Sequence, residues 1–296
     1  MTDVSTPSPT SREDASASRR LALGTLALGA GLLAAPFVSR AEAQTAAGES
    51  TLARIQRTKK LRIAGLKGEP PYFDLNITSG EWSGAAIEMA KDLAKTLGAT
   101  YEVTESTYGN SVLQLQANQI DISLALTATP QRALSIDFTT PYFLHAYGFV
   151  SPKVVAKTWA DLNKPDLKLA VDLGSTQELA ARRFAPKAQI TALRNRDEVV
   201  LALSSGRVDA AIFAALLGMT AAKKNPALGK FSMLGQPTVG LGSAFGIQKE
   251  PDKGFRDFLN VWIDFNRGTG QMREWLVNGM KIAGVEPDDI PPEVVF

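Results

Sequence analysis

The chain has no cysteine and a single histidine, His145. Without thiols there is no disulfide framework, no lipidated cysteine and no cysteine nucleophile, and one imidazole excludes most transition-metal centres. Charge of one sign is missing too: 32 basic residues stand against 30 acidic ones, a net charge of +2. That balance leaves no electrostatic footprint for nucleic acid or a membrane surface. Nor is there a strong membrane anchor. The most apolar stretch, 21–38, is mostly Ala and Leu, is interrupted by Gly24, Gly29, Gly31 and Pro36, and runs straight into Arg40. What remains is ordinary globular composition, 45% hydrophobic and 21% charged over 296 residues, enough for two modest cores and no evident cofactor.

The first 43 residues read as an export signal rather than as fold. A Ser/Thr/Pro-rich leader ends at Ser18, Arg19-Arg20 precede the weakly apolar stretch, and Ala41-Glu42-Ala43 before Gln44 forms a small-x-small cleavage site. The paired arginines fit a twin-arginine signal as well as a general secretory one. With no cysteine to lipidate, the expected product is soluble, not lipid-anchored, and periplasmic.

From residue 50 onward short strands alternate with helical runs, the grammar of an α/β fold. Helices are expected at 51–57, 84–97, 111–117, 252–267 and 271–280, and strands at 61–66, 100–105, 122–126, 167–172 and 241–249. In the 84–97 helix, Ile87, Ala90, Leu93, Ala94 and Leu97 share one face, and Gly98 ends it. The rhythm occurs twice. Val112-Leu113-x-Leu115 and then Ile120-Asp121 is matched at the same spacing by Val200-Leu201-x-Leu203 and then Val208-Asp209, and Leu61-Arg62-Ile63-Ala64 is echoed by Leu167-Lys168-Leu169-Ala170. Two halves built alike imply two lobes, 50–146 plus 241–296 and 150–238, whose strand carboxyl ends face each other. The chain would cross near 145–151 and return near 238–244, forming a hinge.

The segment 121–142, DISLALTATPQRALSIDFTTPY, carries the most chemistry. A strand opening with Asp121 breaks at Thr127-Ala128-Thr129-Pro130 into a helix start, with Arg132 placed to close over the strand end. Hydroxyls, free amides and one guanidinium there suit a small carboxylate. With Asp137-Phe138-Thr139-x-Pro141-Tyr142, the segment resembles the type II periplasmic solute-binding proteins that serve polar amino-acid ABC transporters, solute-binding protein family 3, over essentially the whole chain after the signal. The resemblance implies an α/β, two-lobed periplasmic binding protein type II fold with a hinge between the lobes. It also implies an ABC permease as partner, a ligand held without chemistry, and a monomer.

In the family the arginine matching Arg132 binds the ligand's α-carboxylate, and the turn matching Gly174-Ser175-Thr176 grips the same group from the other lobe. Ser175 or Thr176 also caps the helix that starts there. Leu126 and Thr127, which end the strand beneath, are expected to contact the ligand as well. Tyr108 matches an aromatic platform, with loop packing as its plainer role, and Tyr72 matches an aromatic that is more often structural. His145 reads as a packed residue at the crossover, and Asp121 and Asp209 as structural. One departure stands out: where the amino-acid binders carry an Asp for the ligand's ammonium, this chain has Ala214. Burying an unpaired ammonium costs several kcal/mol. Either the ligand lacks an α-amino group or another carboxylate serves it, and Glu69 is the candidate.

Two other functions fit the same fold. A cyclohexadienyl dehydratase-like enzyme would need a general acid over the leaving group, and the stretch Phe213-Ala214-Ala215-Leu216 offers none. A ligand sensor would have to signal through a separate membrane chain.

Overall fold

In the computed structural model, which describes residues 48–296, the chain opens on Ser50, whose hydroxyl accepts from the Ala53 amide and caps α1 (Thr51–Thr58). The export signal expected over 1–43 lies outside the described residues. β1 (Lys60–Leu66) follows at once, and a two-stranded ribbon, β2 (Asp74–Leu75) with β3 (Trp82–Ser83), leads to α2 (Ala85–Thr96). α2 starts at Gly84 because only glycine fits there: φ is +112°, and a Cβ would come within 2.5 Å of the Tyr72 carbonyl oxygen. β4 (Thr100–Ser106), α3 (Tyr108–Gln116), β5 (Ile122–Thr127), the single turn α4 (Pro130–Ala133) and β6 (Ile136–Phe138) complete the first stretch.

The long strand β7 (Phe143–Ser151) carries the chain onward. It is followed by α5 (Trp159–Leu162), β8 (Lys168–Asp172), α6 (Thr176–Phe184), β9 (Gln189–Leu193) and α7 (Arg196–Ser204). Next come β10 (Ala210–Ala214), α8 (Ala215–Lys224) and β11 (Lys230–Met233), and β12 (Gly240–Gln248) brings the chain back. The helices α9 (Gly254–Gly268) and α10 (Gln271–Ile282) then pack beside α2 and α1, with the Trp262 indole donating to Asp92 at 2.7 Å.

All the longer strands join one curled sheet in the order β4-β1-β5-β12-β7-β10-β8-β9, with β11 on β7 and β6 on β12. β1 lies parallel between β4 and β5, and β8 lies parallel between β9 and β10, so the two halves repeat one arrangement. Between them β12 and β7 run antiparallel to each other, β12 pairing with β5 and β6 of the first half and β7 with β10 and β11 of the second. The central strands β5 and β10 are buried at every position; β10 is an unbroken apolar run, and β5 is apolar apart from Ser123 and Thr127. The molecule is two-lobed, and the lobes meet where the carboxyl ends of β1, β5, β8 and β10 converge.

The repeated aspartates have one structural job in both lobes. Asp121 accepts from the Arg62 amide at 2.7 Å, and Asp209 accepts from the Lys168 amide at 2.8 Å, each pinning the amino end of its strand to a neighbour. Asp121 is the deeper of the two, clamped by Arg54 and Arg62 at 2.5 Å each.

Besides the ribbon β2–β3 and the crossing strand β7, three further strands were not among those expected. β6, β9 and β11 are short and only partly buried, and their sequences lack alternation strong enough to declare them. The helix expected at 111–117 begins at Tyr108, because Thr107 accepts from the Asn110 amide and caps it three residues earlier.

Candidate functional site

A cavity of about 20 Å³, measured to the centre of a water molecule, lies between the lobes at the strand carboxyl ends. Tyr72, Tyr108, Ala125, Thr127 and Arg132 form its first-lobe wall. Thr176, Gln177, Ala214 and Leu217 form the opposite wall, and His145 and Ser243 on the crossing strands form its floor. A space of this size holds about one or two waters, so this is a closed cleft.

Arg132 follows its sequence logic closely. Thr129 caps α4 through its hydroxyl on the Arg132 amide at 3.2 Å, which fixes where the side chain leaves the backbone. The guanidinium donates from Nη1 to the Thr127 carbonyl and from Nη2 to the Gly174 carbonyl, both at 2.7 Å. It makes no ion pair among the described residues. Burial lowers its pKa from the ordinary value, with Tyr108 and Tyr147 opposing, yet an arginine remains charged at any working pH. It is a positive group on the cavity wall with only neutral partners.

Across the cleft α6 presents its amino end. Ser175 caps it, accepting from the Glu178 amide at 3.2 Å while its hydroxyl donates to the Asp172 carbonyl at 2.7 Å. The amides of Thr176 and Gln177 have no intrahelical acceptor by position, and both residues line the cavity. The dipole of α6 adds partial positive charge at the same point. Thr176 is itself held by a hydroxyl contact to Tyr147 at 2.6 Å, and Tyr147 in turn meets His145 Nε2 at 3.1 Å. His145 is therefore more than a packed crossover residue: it lines the cavity, and burial pushes its imidazole down to about 4, leaving it neutral.

Of the residues singled out in the sequence, Tyr72, Tyr108, Thr127, Arg132 and Thr176 come together around the cavity, and Ser175 serves as the cap behind Thr176. Leu126 does not reach it. Neighbouring Ala125 and Thr127 line the cavity, whereas the Leu126 side chain packs toward Gly246 on β12, as strand alternation dictates. Glu69 sits one layer behind the cavity wall. It accepts from the Tyr108 hydroxyl at 2.9 Å and contacts Arg196 Nη2 at 3.2 Å.

That contact belongs to a cluster the sequence reading missed. Arg196 Nη2 lies 2.5 Å from Asp172 as well as 3.2 Å from Glu69, and its guanidinium stacks over the Phe213 ring at 4.4 Å. All three charged side chains are at most 4% exposed. Burial pushes the Glu69 carboxyl up to about 8, against the pull of Arg196, and raises Asp172 for the same reason. Burial would also pull Arg196 down, but Asp172 and Glu69 hold it above its ordinary value. One signal was available: Arg196 is the first residue of α7, where the helix dipole disfavours a cation. A basic residue there needs an acidic partner from elsewhere in the fold.

Two lobes with parallel cores, joined by antiparallel crossing strands around a polar cleft, define a two-lobed solute-binding protein. Residues 61–277 match the bacterial extracellular solute-binding proteins, family 3, and the chain belongs to that family. It is similar to the ABC transporter glutamine-binding protein of Bacillus subtilis (strain 168), with 32% identity over 207 residues, 67% of this chain and 73% of that protein. Among solved structures it is similar to an ancestral amino acid-binding protein described as a precursor of cyclohexadienyl dehydratase. That likeness has a TM-score of 0.69 and 30% identity, covering 77% of this chain and 100% of that one. A solute receptor for L-cysteine of Neisseria gonorrhoeae aligns with a TM-score of 0.72 and 26% identity over 83% of this chain and 100% of that one.

Proposed function

We propose that this chain is the substrate-binding component of an amino-acid-type ABC transporter, capturing an amino acid or related small carboxylate between its lobes and delivering it to a permease. The observation that carries this reading is the Arg132 guanidinium, charged and without an ion-pair partner among the described residues, facing the amino end of α6 across a closed polar cavity. Those groups are complementary to one carboxylate gripped from both sides. A ligand held this way ties the first lobe, 50–146 plus 241–296, to the second, 150–238. Entry then requires the lobes to part, with β7 and β12 as the hinge. The receptor works as an exported, soluble periplasmic monomer without cofactor or catalytic step.

The second-lobe wall at Ala214 supplies no charge for an α-ammonium. Ligands lacking the amino group are therefore candidates beside amino acids, which would need another partner for their ammonium. A thermal-shift screen setting amino acids against matched deaminated acids tests the reading, since a ligand that binds only the folded state raises Tm. Stabilisation by members of either series supports it. Failure of both series, or release of an aromatic product from prephenate or arogenate, overturns it in favour of another ligand or of chemistry in the cleft.

A further inference from the structure

Behind Tyr108 the cleft is closed by a cation that belongs to the protein. Arg196, from the second lobe, reaches between Asp172 of its own lobe and Glu69 of the other, at 2.5 and 3.2 Å. Among the described residues its Nε and Nη1 have no hydrogen-bond partner, and its contact with Asp172 lacks hydrogen-bond alignment. The flat face of the group rests on Phe213. Two carboxylates with an aromatic floor make a receptor for a guanidinium. Here the guanidinium comes from the chain, and it is loosely enough satisfied that a free one could replace it. Tyr108 is the partition: it lines the cavity on one side and donates to Glu69 on the other.

We propose that Arg196 is a specificity-determining residue, an internal cation that fills the acidic end of the cleft and excludes ligands with a cationic side chain. The ligand of this chain is then a carboxylate whose side chain is uncharged and stops short of Glu69 and Asp172. The geometry gives the exclusion its force. A second cation brought to the same pair would meet Arg196 among side chains at most 4% exposed, where solvent screening is weak. With Arg196 gone, Asp172 and Glu69 lose the cation that favours their charged forms and take up protons unless a cation from solution replaces it.

This inference rests on the cleft being a carboxylate site, and its test has an arm that does not. In the first arm, wild-type protein is screened by thermal shift against L-alanine, L-serine and their deaminated acids beside L-arginine and L-lysine. Stabilisation by the uncharged series and not by the basic pair is expected, whereas equal or greater stabilisation by L-arginine or L-lysine overturns the proposal. In the second arm, Arg196→Ala is titrated with methylguanidinium against sodium chloride at equal ionic strength. The expected result is a lowered Tm that methylguanidinium raises saturably, with a midpoint on the order of millimolar, and a gain of L-arginine binding. A folded Arg196→Ala with no methylguanidinium-specific gain overturns it. Should that variant not fold, the wild-type screen still decides. If no carboxylate stabilises the wild type but methylguanidinium rescues the variant, the reading of the cleft fails while the internal cation stands.

Discussion

Arg132 spans the cleft to Gly174: its Nη2 donates to the Gly174 carbonyl at 2.7 Å, so one first-lobe side chain rests on the turn that starts α6 in the second lobe. The same group grips the ligand in the proposed function. Its two present acceptors are neutral carbonyls, and a carboxylate would be the stronger partner. Arg132→Ala is expected to weaken binding by about 3 kcal/mol, on the order of a hundredfold in Kd, with little loss of stability in the free protein. Arg132→Lys should recover only part of this, because an ammonium cannot make the planar two-point contact. Calorimetric Kd values for both variants check the order; equal affinity in Arg132→Ala and wild type would remove Arg132 from the site.

A second pair of residues separates stability from function. Asp121 and Asp209 stand at equivalent strand starts, but Asp121 is fully buried between two arginines, while Asp209 is half-open and pairs with the exposed Lys153. Removing the charge of Asp121 strands two partly buried guanidinium groups, so Asp121→Asn should cost about 3–5 kcal/mol. Asp209→Asn should cost about 1 kcal/mol. Urea midpoints at unchanged m-value measure both, and equal losses would contradict the distinction. Neither change should alter the ligand Kd, because both sit at the end of the sheet away from the cleft.

Much of this arrangement could be read from sequence, for local reasons. The parallel halves announce themselves because β5 and β10 are mostly apolar strands opened by Asp, and helix α2 declares itself by its apolar face. The Thr129-Pro130 start of α4 places Arg132 by short-range capping alone. What escaped depends on residues far apart in the chain. Asp172 and Arg196 come from separate elements of one lobe and Glu69 from the other, so no local pattern marks them as a unit. Glu69 read as a spare carboxylate for want of a visible partner. Leu126 was placed at the site because its neighbours belong there, and the alternation of β5 turns it to the other face.

The backbone at Gly84 links packing to the cleft. Its φ of +112° is open to glycine alone, and a Cβ there would sit 2.5 Å from the carbonyl oxygen of Tyr72, a residue of the cavity wall. Gly84→Ala therefore combines backbone strain of about 1–3 kcal/mol with a clash against main chain that cannot step aside. The expected outcome is a total loss above about 3 kcal/mol together with weaker ligand binding, since relief of the clash displaces Tyr72. Thermal denaturation and calorimetry on the same sample check both; a destabilised variant with unchanged Kd would show that Tyr72 is not a ligand wall.

The cleft also sets how stability varies with pH. His145 is neutral because burial pushes its imidazole from 6.5 down to about 4. Between those values the unfolded chain binds a proton that the folded one refuses, so the contribution is present above about pH 6.5 and lost as pH falls through 4, a span worth about 3 kcal/mol. Glu69 acts the opposite way. Burial raises its carboxyl from 4.5 to about 8, so the folded state keeps a proton the unfolded state has released. That contribution is complete below about pH 4.5 and lost as pH rises through 8. The two oppose each other between about 4.5 and 6.5, which predicts a broad stability maximum there. His145→Gln should flatten the acid side of the Tm profile and Glu69→Gln the alkaline side. If His145→Gln and wild type lose Tm in parallel from pH 6.5 to 4, the acid limb comes from other carboxylates and the neutral histidine has no part in it.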